Sequence, residues 1–369
     1  MLPAESPIPI TRPSLPPLDE YVVLLEEIWE SRMLSNFSRF AQSLEELAER
    51  YLEAEHVLAV SSGDLGLIAT LAALDLPPGS PCYISDFTFN STINAALWAR
   101  LEPVLIDVDR ASFNMDPEAL HAAMREQRLR GVVLPTHVFG NPCDVESLEE
   151  IARQFDGYLV FDAAHAYGSR HAGNAVGTFG DAEVFSLSGT KLVTSAEGGL
   201  VATSHDWLAE RLRYVRAYGF QDDYRSRRVG LNAKISELHS ALGTLTLRDV
   251  EEQVRQRHEL VDAYRAHLDD RVGWQHVAES DRTTYKDIAL LLGGSRAEAQ
   301  DALAAAGVQT KRYFVPLHEM EPYAPFARGA LPRSSELHRE SLCVPAFAEL
   351  AFEDVHRVAR IILEAVGGG

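Results

Sequence analysis

Cysteine is scarce in this chain. Its 369 residues hold three, Cys82, Cys143 and Cys343, far apart from one another. No two have zinc-ligand spacing, and an odd count does not build a disulfide framework. Free buried thiols in a reducing cytoplasm are expected. Positive charge is also short. Lysine and arginine total 34 against 54 acidic residues, for a net charge of -20 and a pI near 5.1. That balance argues against nucleic acid as a partner. Any bound anion must be held by locally placed cations or by helix N-termini. No apolar run is long enough to span a membrane. The start, MLPAESPIPITRPSLPPLDEY, lacks a basic region and an apolar core, so it does not read as a signal peptide. Beyond that proline-rich start no repeat or low-complexity segment is seen.

What is present suffices for a large globular protein. Hydrophobic residues make up 46% of the chain, ample for one large and one smaller domain. We place an arm and large domain at 1–250. A linking helix and small C-terminal α+β domain follow at 251–369.

Residues 3–17 read as an extended arm, because proline cannot enter helix interiors. Apolar residues then recur at helical spacing over 18–31, and a helix from Ser43 to about Glu53 follows the loop Ser35-Asn36-Phe37. From His56 to Thr203 short apolar strands alternate with helices. Strands are expected at 56–60, 82–85, 103–107, 132–135 and 158–161, and helices at 65–74, 93–99, 116–124 and 145–154. This alternation predicts an α/β fold with a mostly parallel, doubly wound sheet. Strand-end loops then gather at one edge, where ligands bind in open α/β sheets.

The most informative stretch runs from Phe161 to Thr203. The strand Tyr158–Phe161 delivers Asp162 at its C-terminal end. A glycine-punctuated passage leads to the strand Ala182–Ser186 and then to Ser-Gly-Thr-Lys191. A lone lysine is more often a solvated surface group. Lys191, however, sits among Ser186, Ser188 and Thr190, with no amphipathic helix to carry it to water. Burial there lowers an amine's pKa and makes it a candidate Schiff-base former. A strand-end aspartate beneath a pyridine ring keeps the ring nitrogen protonated, which is the pairing pyridoxal phosphate needs. His165 is placed to bond the cofactor's phenolic oxygen or to shuttle a proton. Upstream, strand 56–60 runs into Ser61-Ser62-Gly63-Asp64 and a helix. That layout aims backbone N–H groups at a phosphate.

The set Phe161-Asp-Ala-Ala-His-Ala166, Gly177-Thr-Phe-Gly-Asp181, Phe185-Ser186, Lys191 and Glu197-Gly-Gly199 resembles the signature of the DegT/DnrJ/StrS aminotransferases. These are sugar aminotransferases of the aspartate-aminotransferase fold, fold type I. The resemblance implies pyridoxal 5'-phosphate as cofactor, with Ser62 and Gly63 at its phosphate and Ser186 among the residues that bind it. It also implies an aromatic on the ring's face, for which Phe87 is the choice and Phe89 the second. The family usually has Ser-Gly-Thr where Ser62-Gly63-Asp64 stands here. The side chain of Asp64 is therefore expected to turn away as a helix cap, leaving its N–H for the phosphate. Gly230-x-Asn232-x-Lys234-x-Ser236-Glu237 is similar to a family element that opens a long helix. There an asparagine crosses a dimer interface, so Asn232 and a homodimer with shared active sites are implied. That helix is expected to run to about Leu268.

In the small domain a strand at 286–292 and a helix at 295–306 are expected. The segment 308–318 resembles the family's Pro-Leu-His turn, which makes Arg312, Tyr313 and His318 substrate-side candidates. Leu342–Pro345 resembles a Leu-Pro turn, and a last helix is expected at 352–366. His137 is read as structural. No metal site is expected.

By resemblance the function is transfer of an amino group, with glutamate as donor, to a nucleotide-linked sugar. His165 resembles family members that aminate C4, so a dTDP-linked 4-keto-6-deoxyhexose is the leading substrate. A 3-keto sugar or a keto-cyclitol of a secondary-metabolite pathway is the alternative. A dehydrating relative carries histidine in place of the lysine, and Lys191 argues against it. A non-catalytic regulator on the same fold is the reading from another class.

Overall fold

The computed structural model describes residues 7–127, 129–220 and 224–367. Two helices come first, α1 (Leu18–Ser31) and α2 (Arg39–Leu52). α2 buries Phe40, Ala41, Leu44, Ala48 and Leu52, a stripe at three- and four-residue spacing that faces the core. It starts four residues earlier than its apolar pattern suggests. Ser38 gives it no side-chain cap. The buried carboxylate of Glu237 does that work, accepting the N–H groups of Ser38, Phe40 and Ala41 at 3.0, 2.7 and 3.4 Å.

The alternating region follows as β1 (His56–Val60), α3 (Gly63–Ala73), β2 (Pro81–Ser85), α4 (Asn90–Trp98), β3 (Glu102–Ile106), α5 (Pro117–Gln127), β4 (Val132–Leu134), α6 (Val145–Gln154) and β5 (Tyr158–Asp162). A small hairpin, β6 (Arg170–His171) and β7 (Asn174–Ala175), precedes β8 (Ala182–Ser186) and β9 (Gly199–Thr203). One seven-stranded sheet has the order β1-β9-β8-β5-β4-β2-β3. Pairing is parallel from β8 through β5, β4 and β2 to β3, and β9 runs antiparallel to both its neighbours. The strands are near-continuous apolar runs because helices cover both faces. Val60, Ile84, Val160 and Val184 pack on α3 and α4 on one side, and Val133, Leu159 and Phe161 on α5 and α6 on the other. The mixed sheet with a parallel body agrees with the expected fold class.

After β9 come α7 (Asp206–Val215), α8 (Glu237–Leu247) and α9 (Val250–His267). Here the structure corrects the sequence reading. Residues 231–236 are not helical, and Asn232 bridges to Ala217. The long helix is two helices that meet at Arg248 and Asp249. The hydroxyls of Thr244 and Thr246 bond back to the carbonyls of Ala241 and Gly243, and Thr246 also reaches the Thr194 carbonyl. Such back-bonding bends helices.

The remaining elements are β10 (Gly273–Trp274), β11 (Ile288–Leu291), α10 (Arg296–Ala305), α11 (Pro332–Glu340), β12 (Ser341–Val344) and α12 (Phe352–Gly367). Leu342–Val344 therefore lies in a strand, not a turn, paired antiparallel with β11. The three-stranded sheet β10-β11-β12 and helices α9, α10 and α12 enclose a second core. Residues 7–17 of the proline-rich arm are extended and join it, while residues 3–6 lie outside the described residues. Ile8 pairs with the Gly307–Gln309 turn and Ile10 accepts from Ala346. All three cysteines are free and buried.

Candidate active site

Several strands of the large sheet end in polar residues, and these ends meet. Ser62 follows β1, Thr88 follows β2, Thr136 follows β4, Asp162 closes β5 and Ser186 closes β8. All line one cavity of about 290 Å³, together with Lys191, His165, Glu197, Lys286, Tyr313 and Phe314. The sheet edge is thus roofed by residues that precede and follow β11, the central strand of the second sheet.

Lys191 lies in a tight loop between β8 and β9. Its N–H bonds the Ser188 carbonyl at 2.9 Å, and Ser195 N–H bonds Leu187 at 2.9 Å. Among the described residues its Nζ has neither hydrogen bond nor ion pair. Burial lowers its pKa to about 7, aided by the Lys286 charge and opposed by Asp287 and Asp162. A substantial share of this amine is therefore neutral at neutral pH.

Asp162 accepts the Thr92 hydroxyl at Oδ2, 2.7 Å, and the Ala164 N–H at Oδ1, 3.1 Å. Thr92 is joined through Thr88 to Thr136 at 2.9 and 2.7 Å. Burial raises the pKa of Asp162, while those bonds and the charges of Lys191 and His137 pull it back. His165 stacks near Phe139 and Phe314, with ring centroids 6.2 and 6.1 Å away. Burial, then repulsion by Lys191 and Lys286, holds its pKa well below the usual value, so the ring is neutral. Its buried Nδ1 has no partner among the described residues.

At the other end of the cavity α3 begins. Ser62 is its N-cap, accepting Leu65 N–H at 3.1 Å. A Cβ on Gly63 would stand 3.0 Å from Ser186 Cβ, so glycine lets the helix start press against the end of β8. Asp64 is not the cap expected of it. It lies in the first helical turn and lines the cavity. The N-terminal end of a helix favours a carboxylate there.

The structure moves other expectations. Phe87 is fully buried and packs edge-on against Phe113 and Phe314, off the cavity. Phe89, 55% exposed, lines it instead. Tyr313 lies on the cavity, but Arg312 is exposed and bonds His338 at 2.8 Å. His318 is spent on Asp86, Nδ1 to Oδ2 at 2.6 Å, away from the cavity. Asn232 is exposed and does not line this cavity. His137 is fully buried against Glu183 and Phe161, a structural residue. Sequence reasoning missed Lys286, Glu197 and the hydroxyl chain. The four-residue spacing of Thr88 and Thr92 across the start of a helix was a usable signal for the chain. Lys286 gave none.

The aminotransferase model DegT/DnrJ/EryC1/StrS matches residues 19–363. The chain belongs to this family. It is 29% identical to GDP-perosamine synthase of Caulobacter vibrioides over 90% of this chain and 91% of that one. It is 27% identical to dTDP-4-amino-4,6-dideoxy-D-glucose transaminase of Shigella dysenteriae over 98% and 99%. The crystal structure of DesI with its TDP-sugar product matches with a TM-score of 0.92 at 30% identity, covering 99% of this chain and 94% of that one. The protein is a sugar aminotransferase of fold type I, and its cofactor is pyridoxal phosphate.

The residues fit that cofactor. An unpartnered amine, a buried carboxylate, an orphaned imidazole nitrogen and a helix N-terminus share one cavity. They match the aldehyde, ring nitrogen, phenolic oxygen and phosphate of the ligand.

Proposed function

We propose that this aminotransferase converts a dTDP-linked 4-keto-6-deoxyhexose to the 4-amino sugar, with L-glutamate as amino donor. The observation that carries the chemistry is the buried Lys191 amine, its pKa lowered to about 7, in the cavity that also holds Asp162. The substrate rests on the names of the relatives, since the transaminase of Shigella dysenteriae and DesI are both described with dTDP- or TDP-linked sugars. A GDP-linked sugar is the second reading, favoured by the perosamine synthase likeness.

Lys191 is the residue that would hold the cofactor covalently, and Asp162 the one that would keep its ring nitrogen protonated. Ser62, Gly63, Asp64 through its N–H, and Ser186 would take the phosphate. Phe89, which lines the cavity, would take the ring-face position first assigned to Phe87. The cofactor supplies an electron sink for the carbanion left when a C–H bond beside nitrogen breaks. Nζ of Lys191 takes the proton from the donor's α-carbon and later delivers one to C4 of the sugar. His165, neutral and set against the rings of Phe139 and Phe314, would orient the phenolic edge without adding a charge. Thr92 holds Asp162 in position.

The same reading includes a homodimer in which Asn232 of each copy serves its neighbour's site. It also takes the two cores as two domains divided near residue 250, and places the protein in the cytoplasm on the strength of three free thiols. The test is incubation of cofactor-loaded protein with L-glutamate and dTDP-, UDP- and GDP-linked 3-keto and 4-keto sugars, with product structures solved. Amination at C4 of the dTDP sugar is expected. Turnover confined to another nucleotide or to C3 overturns the assignment.

A further inference from the structure

Lys286 stands on the cavity wall just ahead of β11, and only 4% of it is exposed. Its Nζ donates to Oδ2 of Asp287, itself 6% exposed, at 2.9 Å. An ammonium group has three N–H donors. Among the described residues one of them is used by protein. A buried lysine with donors to spare is costly unless something in the cavity takes them.

The charge on this wall points the same way. Burial alone would raise the pKa of Asp287, yet Lys286, Lys191 and Arg257 hold it below the usual carboxylate range. Lys311 is near as well, with Nζ bonded to the Tyr313 hydroxyl at 3.0 Å. Lys286, Lys191, Arg257 and Lys311 thus all bear electrostatically on this one buried carboxylate. An anionic group bound beside Lys286 would take up its spare donors.

The cofactor's phosphate is not that group. Its cradle is built from Ser62, Gly63 and Ser186, where α3 meets β8. Lys286 enters beside His165 instead. Its N–H bonds the Phe139 carbonyl at 3.0 Å, and Thr284 Oγ1 bonds the His165 carbonyl at 2.6 Å. The Lys286 charge is felt by both Lys191 and His165. It therefore lies on the side where the reacting carbon must stand. In the sugar that carbon is separated from the diphosphate by the width of a ring. In an amino-acid donor a carboxylate is bonded directly to it.

We propose that Lys286, with the Tyr313 hydroxyl, forms the subsite for the α-carboxylate of the amino donor. Tyr313 accepts from Lys311, which leaves its own O–H to donate. This rests on the reading that the donor is an amino acid.

The test follows each half-reaction separately by the cofactor's absorbance. The amino-acid half uses L-glutamate, L-glutamine and L-alanine. The sugar half, run in reverse, uses dTDP-4-amino-4,6-dideoxyglucose. Binding of glutarate, which has carboxylates and no amine, is measured by calorimetry. The variant is Lys286→Met with Asp287→Asn, which removes both charges and leaves no unpaired acid. The half-saturating donor concentration and the glutarate Kd should rise about 10- to 100-fold, the scale of a lost charge-assisted bond. The amino-sugar half-reaction should slow less than about threefold, since no carboxylate is involved. Lys286→Arg should restore donor binding. Tyr313→Phe, which carries little risk to folding, should weaken it about 5- to 20-fold. Unchanged glutarate and donor binding in Tyr313→Phe and the double variant overturns the proposal. So does equal slowing of both half-reactions, which would mark an effect through Lys191. If the unaltered protein reacts with none of the three amino acids but does react with the amino sugar, the donor reading itself fails and this proposal with it.

Discussion

Thr92 donates its hydroxyl to Oδ2 of Asp162 at 2.7 Å, and both side chains are buried. The bond ties the first turn of α4 to the end of β5. With the Ala164 N–H on Oδ1 at 3.1 Å, it fixes the orientation of the carboxylate.

Asp162→Asn should lower kcat at least about 100-fold, because on the proposed assignment it removes the carboxylate that would stabilise a charged ring nitrogen. Thr92→Val should cost less. It leaves Oδ2 without its donor, a loss of about 1–3 kcal/mol. A fall of about 5- to 100-fold in kcat, with the half-saturating sugar concentration little changed, is expected. Steady-state kinetics of the two variants checks this.

Phe87 and Phe89 should separate stability from binding. Phe87→Ala opens a hole among Phe113, Phe314 and their neighbours, and should cost about 3–5 kcal/mol in urea unfolding. Phe89→Ala, on an exposed side chain, should move stability by less than about 0.5 kcal/mol. It should weaken cofactor binding about tenfold, the scale of a lost aromatic stack. Equilibrium unfolding and cofactor titration on the same two proteins decide the matter.

Lys191→Met should abolish turnover, by about 10³-fold or more, since the proposed mechanism gives this one amine both the attachment of the cofactor and the proton transfer. In cofactor-free protein it should nevertheless raise stability at pH 7. The folded-state pKa of Lys191 is about 7, below the 10.5 of an ordinary lysine. The unfolded chain therefore binds this proton more tightly than the folded one. The resulting cost is fully present below about pH 7 and fades as pH rises toward 10.5. The gain from methionine should shrink over that same range, read as melting temperature against pH. The rate at which apoprotein combines with cofactor should rise with pH through about 7, following the neutral amine.

Much of this was legible in the chain. The buried strands at His56, Tyr158 and Ala182 read as apolar runs because sheets covered on both faces leave no polar alternation. Asp162, His165 and Lys191 stood at strand ends or just beyond, in a local pattern that needs no tertiary knowledge. Other features depend on contacts distant in sequence. The apolar periodicity runs unbroken through Arg248, and only the hydroxyl of Thr246 reaching Thr194 shows why the helix stops. Whether Phe87 or Phe89 faces the cavity is decided by Phe314, more than two hundred residues on. Lys286 looks like the polar start of a strand until Arg257 and Lys191 are seen around its partner.

Glu237 offers the remaining test, because it joins a distant helix to the catalytic loop. Its carboxylate is the acceptor for three N–H groups at the start of α2, where no local side chain serves. Ala41, Leu44, Ala48 and Leu52 of α2 pack in one cluster with Leu187, Leu192 and Val193, which flank Lys191. Glu237→Ala strands those donors in the core and should cost about 2–4 kcal/mol, more than an ordinary cap because several are buried together. Fraying α2 also removes one wall of the loop that holds Lys191 away from water. The amine's pKa should therefore climb back toward its ordinary value, and the pH at which apoprotein combines with cofactor half-maximally should move upward. A purely structural role predicts lower stability with that midpoint unmoved. Urea unfolding together with the pH profile of cofactor uptake distinguishes the two, and Glu237→Gln, which keeps one acceptor oxygen, should fall between.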